Sequence, residues 1–156
     1  MTITLLILAL LGPLAVVLLA AKRSLRNRQR IRANLIASLA ESDRNAIYPV
    51  KYASRRRYRK FWKIFPWEGA GILFPQSEGF RAVVQTSKGD RVSFDVSPSE
   101  VEWLGRKHWY INGANSWLIV TDHLSPHYLS PEHGIWIFGN CRKTKELYEL
   151  LTKKTF

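Results

Sequence analysis

A single cysteine, Cys141, excludes an intramolecular disulfide and any zinc or iron–sulfur site built on several thiolates. Acidic residues are scarce, 12 Asp and Glu against 24 Lys and Arg, for a net charge of +12. The position of that excess rules out a uniformly basic domain. Residues 1–21 carry no charged side chain, residues 22–63 carry 14 Lys and Arg against 2 Asp and Glu, and residues 64–156 carry 10 of each. The sequence also lacks a Gly-x-Ser-x-Gly elbow and a phosphate-cradling glycine loop, and no histidine neighbours Cys141. Nothing here assembles a nucleophile, so the chain reads as a non-enzyme with no cofactor. The 156 residues form three unlike pieces, with room for one domain and a short extra segment.

The apolar piece, Ile3 to Ala21, reads ITLLILALLGPLAVVLLAA. Its 19 residues, at about 1.5 Å each, match the ~30 Å hydrocarbon core of a bilayer. Gly12-Pro13 lies at its centre, an interruption that membrane helices tolerate. A signal peptide would carry a basic stretch before the apolar run and a small-x-small cleavage site after it, and neither is present. Residues 1–21 are therefore expected to be a transmembrane anchor. Lys22, Arg23, Arg26, Arg28, Arg30 and Arg32 flank only its C-terminal side, which places that side in the cytoplasm and the N-terminus outside. A single-pass protein of a bacterial cytoplasmic membrane is the expected setting.

Residues 22–68 form a basic juxtamembrane piece. Leu25, Ile31, Leu35, Ile36 and Leu39 recur at helical spacing, so the anchor is expected to continue as an Arg-studded stem that ends near Asp43, Asn45 and Pro49. Next, YPVKYASRRRYRKFWKIFPWEG interleaves cations with aromatic rings. Arg55, Arg56, Arg57, Arg59, Lys60 and Lys63 suit anionic headgroups, each worth about 1 kcal/mol near the surface. Tyr58, Phe61 and Trp62 suit the membrane interface. The same mixture serves nucleic acid, with cations on phosphates and rings on bases. An anchored chain, however, meets lipid at far higher effective concentration. The expected partners are anionic lipids and a protein yet to be identified, not nucleic acid.

Residues 69–156 change to a period of two. Short strands are expected at 72–74, 80–85, 92–96, 101–104, 108–111, 116–121 and 134–138, with turns at Lys88-Gly89-Asp90 and Asn112-Gly113. Trp103, Trp109, Trp117 and Trp136 fall within these strands, where large rings usually fill a core. A closing helix is expected after Asn140 as N-cap, with Thr144, Leu147, Tyr148 and Leu151 on one face. The expected fold class is a transmembrane helix followed by a small antiparallel seven-stranded barrel or sandwich with a C-terminal amphipathic helix.

That element order is similar to the pleckstrin-homology-like fold, including its bacterial and GRAM-type relatives. GAGILF resembles an opening strand, RVSFDVSPSEVEWLG the middle of the sheet, and GIWIFGNCRKTKELYELL the last strand and helix. The resemblance spans roughly residues 69–153 and implies a docking scaffold. Phosphoinositide-binding members carry cations in the first hairpin. On this strand assignment that loop is Pro75-Gln76-Ser77-Glu78-Gly79, which has none, so lipid contact is placed on residues 51–63.

The one concentration of metal-type ligands is Asp122, His123, His127, Glu132 and His133. His123 and His127 would share a face on a helix, but Ser125-Pro126 and Ser130-Pro131 break any helix there, so a polar loop is expected. The main reading is a membrane-held docking or adaptor module without enzymatic activity. The alternative is a membrane-tethered metal-dependent enzyme centred on residues 122–133, with His123, His127 and His133 as ligands.

Overall fold

The computed structural model describes residues 3–44, 46–59, 67–77, 79–105, 117–134 and 140–153, with backbone alone for 3–10 and 105. Helix α1 runs unbroken from Ile3 to Ala37, through Pro13. It ends earlier than the sequence suggests because Arg44, from a following 3-10 turn at Glu41–Arg44, donates to the carbonyls of Ala37 (3.2 Å) and Leu39 (2.9 Å). Among the described residues, no helix is long and apolar enough to cross a membrane. The expected anchor includes residues 3–10, whose side chains lie outside that description.

Seven strands follow: β1 (Tyr48–Ser54), β2 (Gly69–Gln76), β3 (Gly79–Thr86), β4 (Arg91–Val96), β5 (Val101–Gly105), β6 (Trp117–Asp122) and β7 (Ser125–Pro131). A four-residue helix, α2 (Arg55–Tyr58), leaves the end of β1, and α3 (Cys141–Thr152) closes the chain. All pairings are antiparallel in the order β4-β3-β2-β1-β7-β6-β5, a curled half-barrel.

Two of these strands correct the sequence reading. The sheet starts at Tyr48, within the basic segment expected at 22–68, and β1 is its middle strand. The supposed loop 122–133 is the β6–β7 hairpin. Its prolines sit where a strand accepts them. Pro126 lies beyond Ser54, the last β1 residue that β7 pairs with, and Pro131 is at the opposite terminal pair, with Val50. Pro75 likewise lies in β2 past Leu73, the last residue that pairs with β1. The strand expected at 108–111 lies outside the described residues, as does that expected at 134–138 except for Gly134, which is in a turn at φ 86°.

Both faces of the sheet are covered, so its central strands do not alternate between polar and apolar residues. On the inner face, Val50, Tyr52, Leu73, Val84, Phe94, Leu118 and Leu129 meet Leu147 and Leu151 of α3. Asn140 Oδ1 accepts from Lys143 N at 3.1 Å, so α3 has the N-cap and apolar stripe that its sequence predicts. On the outer face, Ile31 and Leu35 of α1 cover Ala70, Ile72, Phe74 and Val83. The C-terminal half of α1, expected as an Arg-studded stem, thus packs on the sheet as a layer of the domain. Beside it, Ala53, Tyr58, Trp67, Leu104, Trp117 and Tyr128 form a third cluster. The β4 edge has one wet face, with Arg91, Ser93 and Asp95 exposed opposite Phe94 and Val96.

Candidate functional site

The strand register brings four segments to one end of the sheet. Ser54 pairs with His127, Tyr52 with Gly69, and Gly69 with Thr86, so α2, the start of β2, the β3–β4 turn and the β6–β7 turn share this end. Helix α1 reaches it as well: Ser24 Oγ accepts from Trp67 Nε1 at 3.2 Å, two residues before β2 begins. Farther along the helix, Ile31 and Leu35 lie over Ala70, Ile72 and Phe74. The apolar N-terminal run of α1 therefore leaves the sheet from this end.

Ser54 fixes where β1 turns into α2. Its Oγ accepts from Arg57 N at 3.3 Å, and its own N donates to Glu68 Oε1 at 2.7 Å. Tyr58 anchors the helix from below: it stacks on Tyr128 with centroids 3.9 Å apart and meets Trp117 edge-on at 6.0 Å. That arrangement turns Arg55, Arg56 and Arg59 to the outside and leaves Arg57 half-buried. Burial lowers the pKa of Arg57, and Glu68 opposes the shift. Tyr58 itself is 6% exposed, so its ring belongs to the core and not to an interface belt. Lys60, Phe61, Trp62 and Lys63 lie outside the described residues.

Between α1, α2 and the β3–β4 turn lies a cavity of about 770 Å³, walled by Arg28, Arg56, Arg57, Trp67, Glu68 and Lys88 among others. Four cations face it against the carboxylates of Glu68 and Asp90. Asp90 is already engaged, because Thr86 Oγ1 donates to it at 3.1 Å.

One wall of the cavity is held by a buried ion cluster under α1. Arg28 Nε donates to Glu132 Oε2 at 2.8 Å, and Arg32, one helical turn on, donates to the same oxygen at 2.7 Å. Burial pushes the Glu132 carboxyl up, but hydrogen bonds and charge from both arginines outweigh it and hold the group at about 2. Lys51 lies beneath, fully buried in β1, with Nζ 4.4 Å from the centre of the Trp67 ring; Arg28 Cζ is 4.8 Å from that centre. Among the described residues, neither Lys51 Nζ nor the buried hydroxyl of its cross-strand neighbour Ser130 has a hydrogen-bond partner. Burial lowers the Lys51 pKa to about 7; Glu132 opposes the shift and Arg28 and Arg32 add to it.

The histidines separate. His123 lies at the tip of the β6–β7 turn, 3.7 Å from Asp122 Oδ1. His127 points inward, stacked on Phe94 at 4.1 Å and 3.3 Å from the Tyr52 hydroxyl through Nδ1. Burial lowers the His127 pKa against an opposing pull from Asp122; burial, then Glu68, raise Tyr52 to about 12. His133 lies beyond β7, its Nδ1 3.2 Å from the Pro131 carbonyl. Among the described residues, no three His, Cys, Asp or Glu side chains form a group able to hold a metal. His127 faces Phe94, whereas Glu132 lies past the far end of β7 and is bound by Arg28 and Arg32.

Sequence reasoning singled out the cations of α2 but not Arg28, Arg32, Lys51, Trp67, Lys88 and Glu132 as parts of one site. A signal for the helix existed: Arg28 and Arg32 are four apart, beside the apolar spacing of Ile31 and Leu35. Nothing local marked Glu132 as their partner, because it lies 100 residues or more away. Compared with known proteins, the chain matches no family model, no curated protein and no solved structure.

Proposed function

We propose that this protein is a membrane-docking module: a single-pass anchor in residues 1–21 holds a pleckstrin-homology-like domain against an anionic leaflet, N-terminus outside and domain in the cytoplasm. The observation that carries this reading is the placement of Arg55, Arg56 and Arg59 at the end of the sheet from which the uncharged run of α1 departs. Exposed Leu11, Leu14, Val16, Leu18 and Leu19 supply apolar surface to that run.

The strand assignment adds support for the pleckstrin-homology-like reading. With β1 in place, the first hairpin connection is residues 55–68, not 75–79, and it holds Arg55, Arg56, Arg57, Arg59, Lys60 and Lys63. The cations implied by the resemblance therefore fall in the first hairpin after all. The cavity among Arg28, Arg56, Arg57 and Lys88 has the charge to receive a phosphate-bearing headgroup. Docked this way, the domain acts as an adaptor or assembly module for a protein partner, without catalysis of its own.

Co-sedimentation tests the reading. Residues 22–156, which retain the docked half of α1, are mixed with phosphatidylcholine vesicles with or without phosphatidylserine over a range of salt. Pelleting is expected only with phosphatidylserine, weakening as salt rises. Replacing Arg55, Arg56, Arg57 and Arg59 with Gln should abolish it. Equal behaviour on both vesicle types, or in the variant, would overturn the proposal.

A further inference from the structure

Among the described residues, every large apolar side chain that is strongly exposed lies in the N-terminal run of α1, with one exception, Leu124. It is 93% exposed at the tip of the β6–β7 hairpin. Asp122 pairs with Ser125, so His123 and Leu124 form a two-residue loop. Both have positive φ, 41° and 68°, as a type I′ turn requires. Asn and Gly fill such positions at little steric cost, whereas a leucine there strains the backbone. Packing does not compensate, because the side chain touches so little of the protein. A side chain so exposed has its full apolar area available for burial outside the fold.

The location of the turn identifies what covers it. β7 pairs with β1 up to Ser54, and Leu124 lies three residues past that row, about 10 Å at strand rise. The tip therefore projects beyond α2, on the same end as Arg55, Arg56, Arg59 and Lys88 and the departing run of α1. We propose that the β6–β7 turn is a bilayer-inserting wedge, in which Leu124 enters the acyl region while the surrounding cations hold the headgroups. This inference rests on the membrane-docking reading and adds to its anchor and cationic end a third point of contact. Contact at the helix, the cationic end and the wedge together restricts the tilt of the domain on the leaflet more than an anchor alone does.

The test uses the full chain carrying Cys141→Ser, reconstituted into phosphatidylcholine bilayers with or without phosphatidylserine. An environment-sensitive fluorophore is attached at Leu124→Cys, at Ser87→Cys in the β3–β4 turn, or at Ser77→Cys at the far end of the sheet. With phosphatidylserine, the label at 124 is expected to shift to the blue and be quenched by brominated acyl chains. The label at 87 should shift less, and the label at 77 should stay aqueous. An aqueous label at 124 beside a shifted one at 87 overturns the wedge and leaves the docking reading standing. Aqueous labels at both positions overturn both.

Leu124→Asn separates the wedge from a role in folding. Asn suits the left-handed backbone, so the melting temperature should rise, while the docked fraction reported from Ser87 should correspond to about tenfold weaker docking. Unchanged docking in this variant would also overturn the wedge.

Discussion

Glu132 accepts two hydrogen bonds from Arg28, to Nε at 2.8 Å and to Nη2 at 3.3 Å, and so fastens helix α1 to the end of β7 across 104 residues of sequence. Arg28 also donates to Ser24 Oγ at 2.8 Å and lies over the Trp67 ring. The guanidinium is thus held on several sides, and the helix carrying it becomes a wall of the cationic cavity.

Glu132→Ala should cost about 3–5 kcal/mol, because it leaves Arg28 and Arg32 buried without a counter-charge. In the folded protein the Glu132 carboxyl is depressed from 4.5 to about 2. Its stabilising contribution is therefore complete above pH 4.5 and is lost as the pH falls from there toward 2. Urea unfolding between pH 7 and pH 2 checks this. Glu132→Gln should be weaker at pH 7 and show a flatter acid limb.

Lys51 has the opposite linkage. Its folded pKa of about 7 lies below the ordinary 10.5, so between those values the unfolded chain binds the extra proton and stability rises with pH. At pH 6 the folded protein must keep a buried ammonium. Lys51→Met should accordingly be more stable than wild type there, by about 1–4 kcal/mol, with the gain shrinking toward pH 10.5. Denaturant midpoints at pH 6, 8 and 10 provide the measurement. A constant difference across that range would refute the burial of the charge.

Tyr58 and Arg56 are near neighbours with different duties. Tyr58→Ala removes a ring stacked on Tyr128 and set against Trp117, and should destabilise by about 3–5 kcal/mol. Arg56→Gln, at an exposed position, should stay within about 0.5 kcal/mol of wild type. Thermal melts paired with vesicle binding separate them, the first losing the fold and the second only the affinity.

Gly69 opens β2 against β3. A methyl there would overlap the carbonyl of Gln85, a backbone atom that cannot swing aside. Gly69→Ala should cost about 3 kcal/mol or more. Gly12→Ala, with nothing within 4 Å of the added methyl, should cost nothing. Expression and melting of the two variants side by side check the contrast.

Much of the fold was legible locally. The β3–β4 hairpin with Gly89 at φ 103°, and the N-cap and stripe of α3, follow from short-range rules. The continuation of the apolar run into the basic segment as one helix does too, although that helix ends at Ala37, short of the expected stop. β1 and β7 were hidden for different reasons. YPVKYAS places a lysine where a strand pattern calls for an apolar residue, because Lys51 is buried among charges supplied by α1 and Glu132. SPHYLSP begins and ends with prolines at places the sheet leaves free, and its turn, His123-Leu124, lacks the Asn-Gly signature. Losing these two strands shifted the first hairpin by one connection and moved the cations out of it.

The sequence alone determined that an uncharged run comes first, that the excess positive charge follows it directly, and that a charge-balanced β region with a closing helix comes after. These are properties of neighbours along the chain, governed by helix rise, strand period and turn chemistry. Tertiary structure decided which arginines are solvent-facing and which are buried, that Glu132 is the counter-ion of α1, and that α2, Lys88 and Leu124 share one end of the sheet. The physical reason is that strand register and ion pairing act between segments up to 100 residues or more apart, where no local pattern records which partner a side chain will meet.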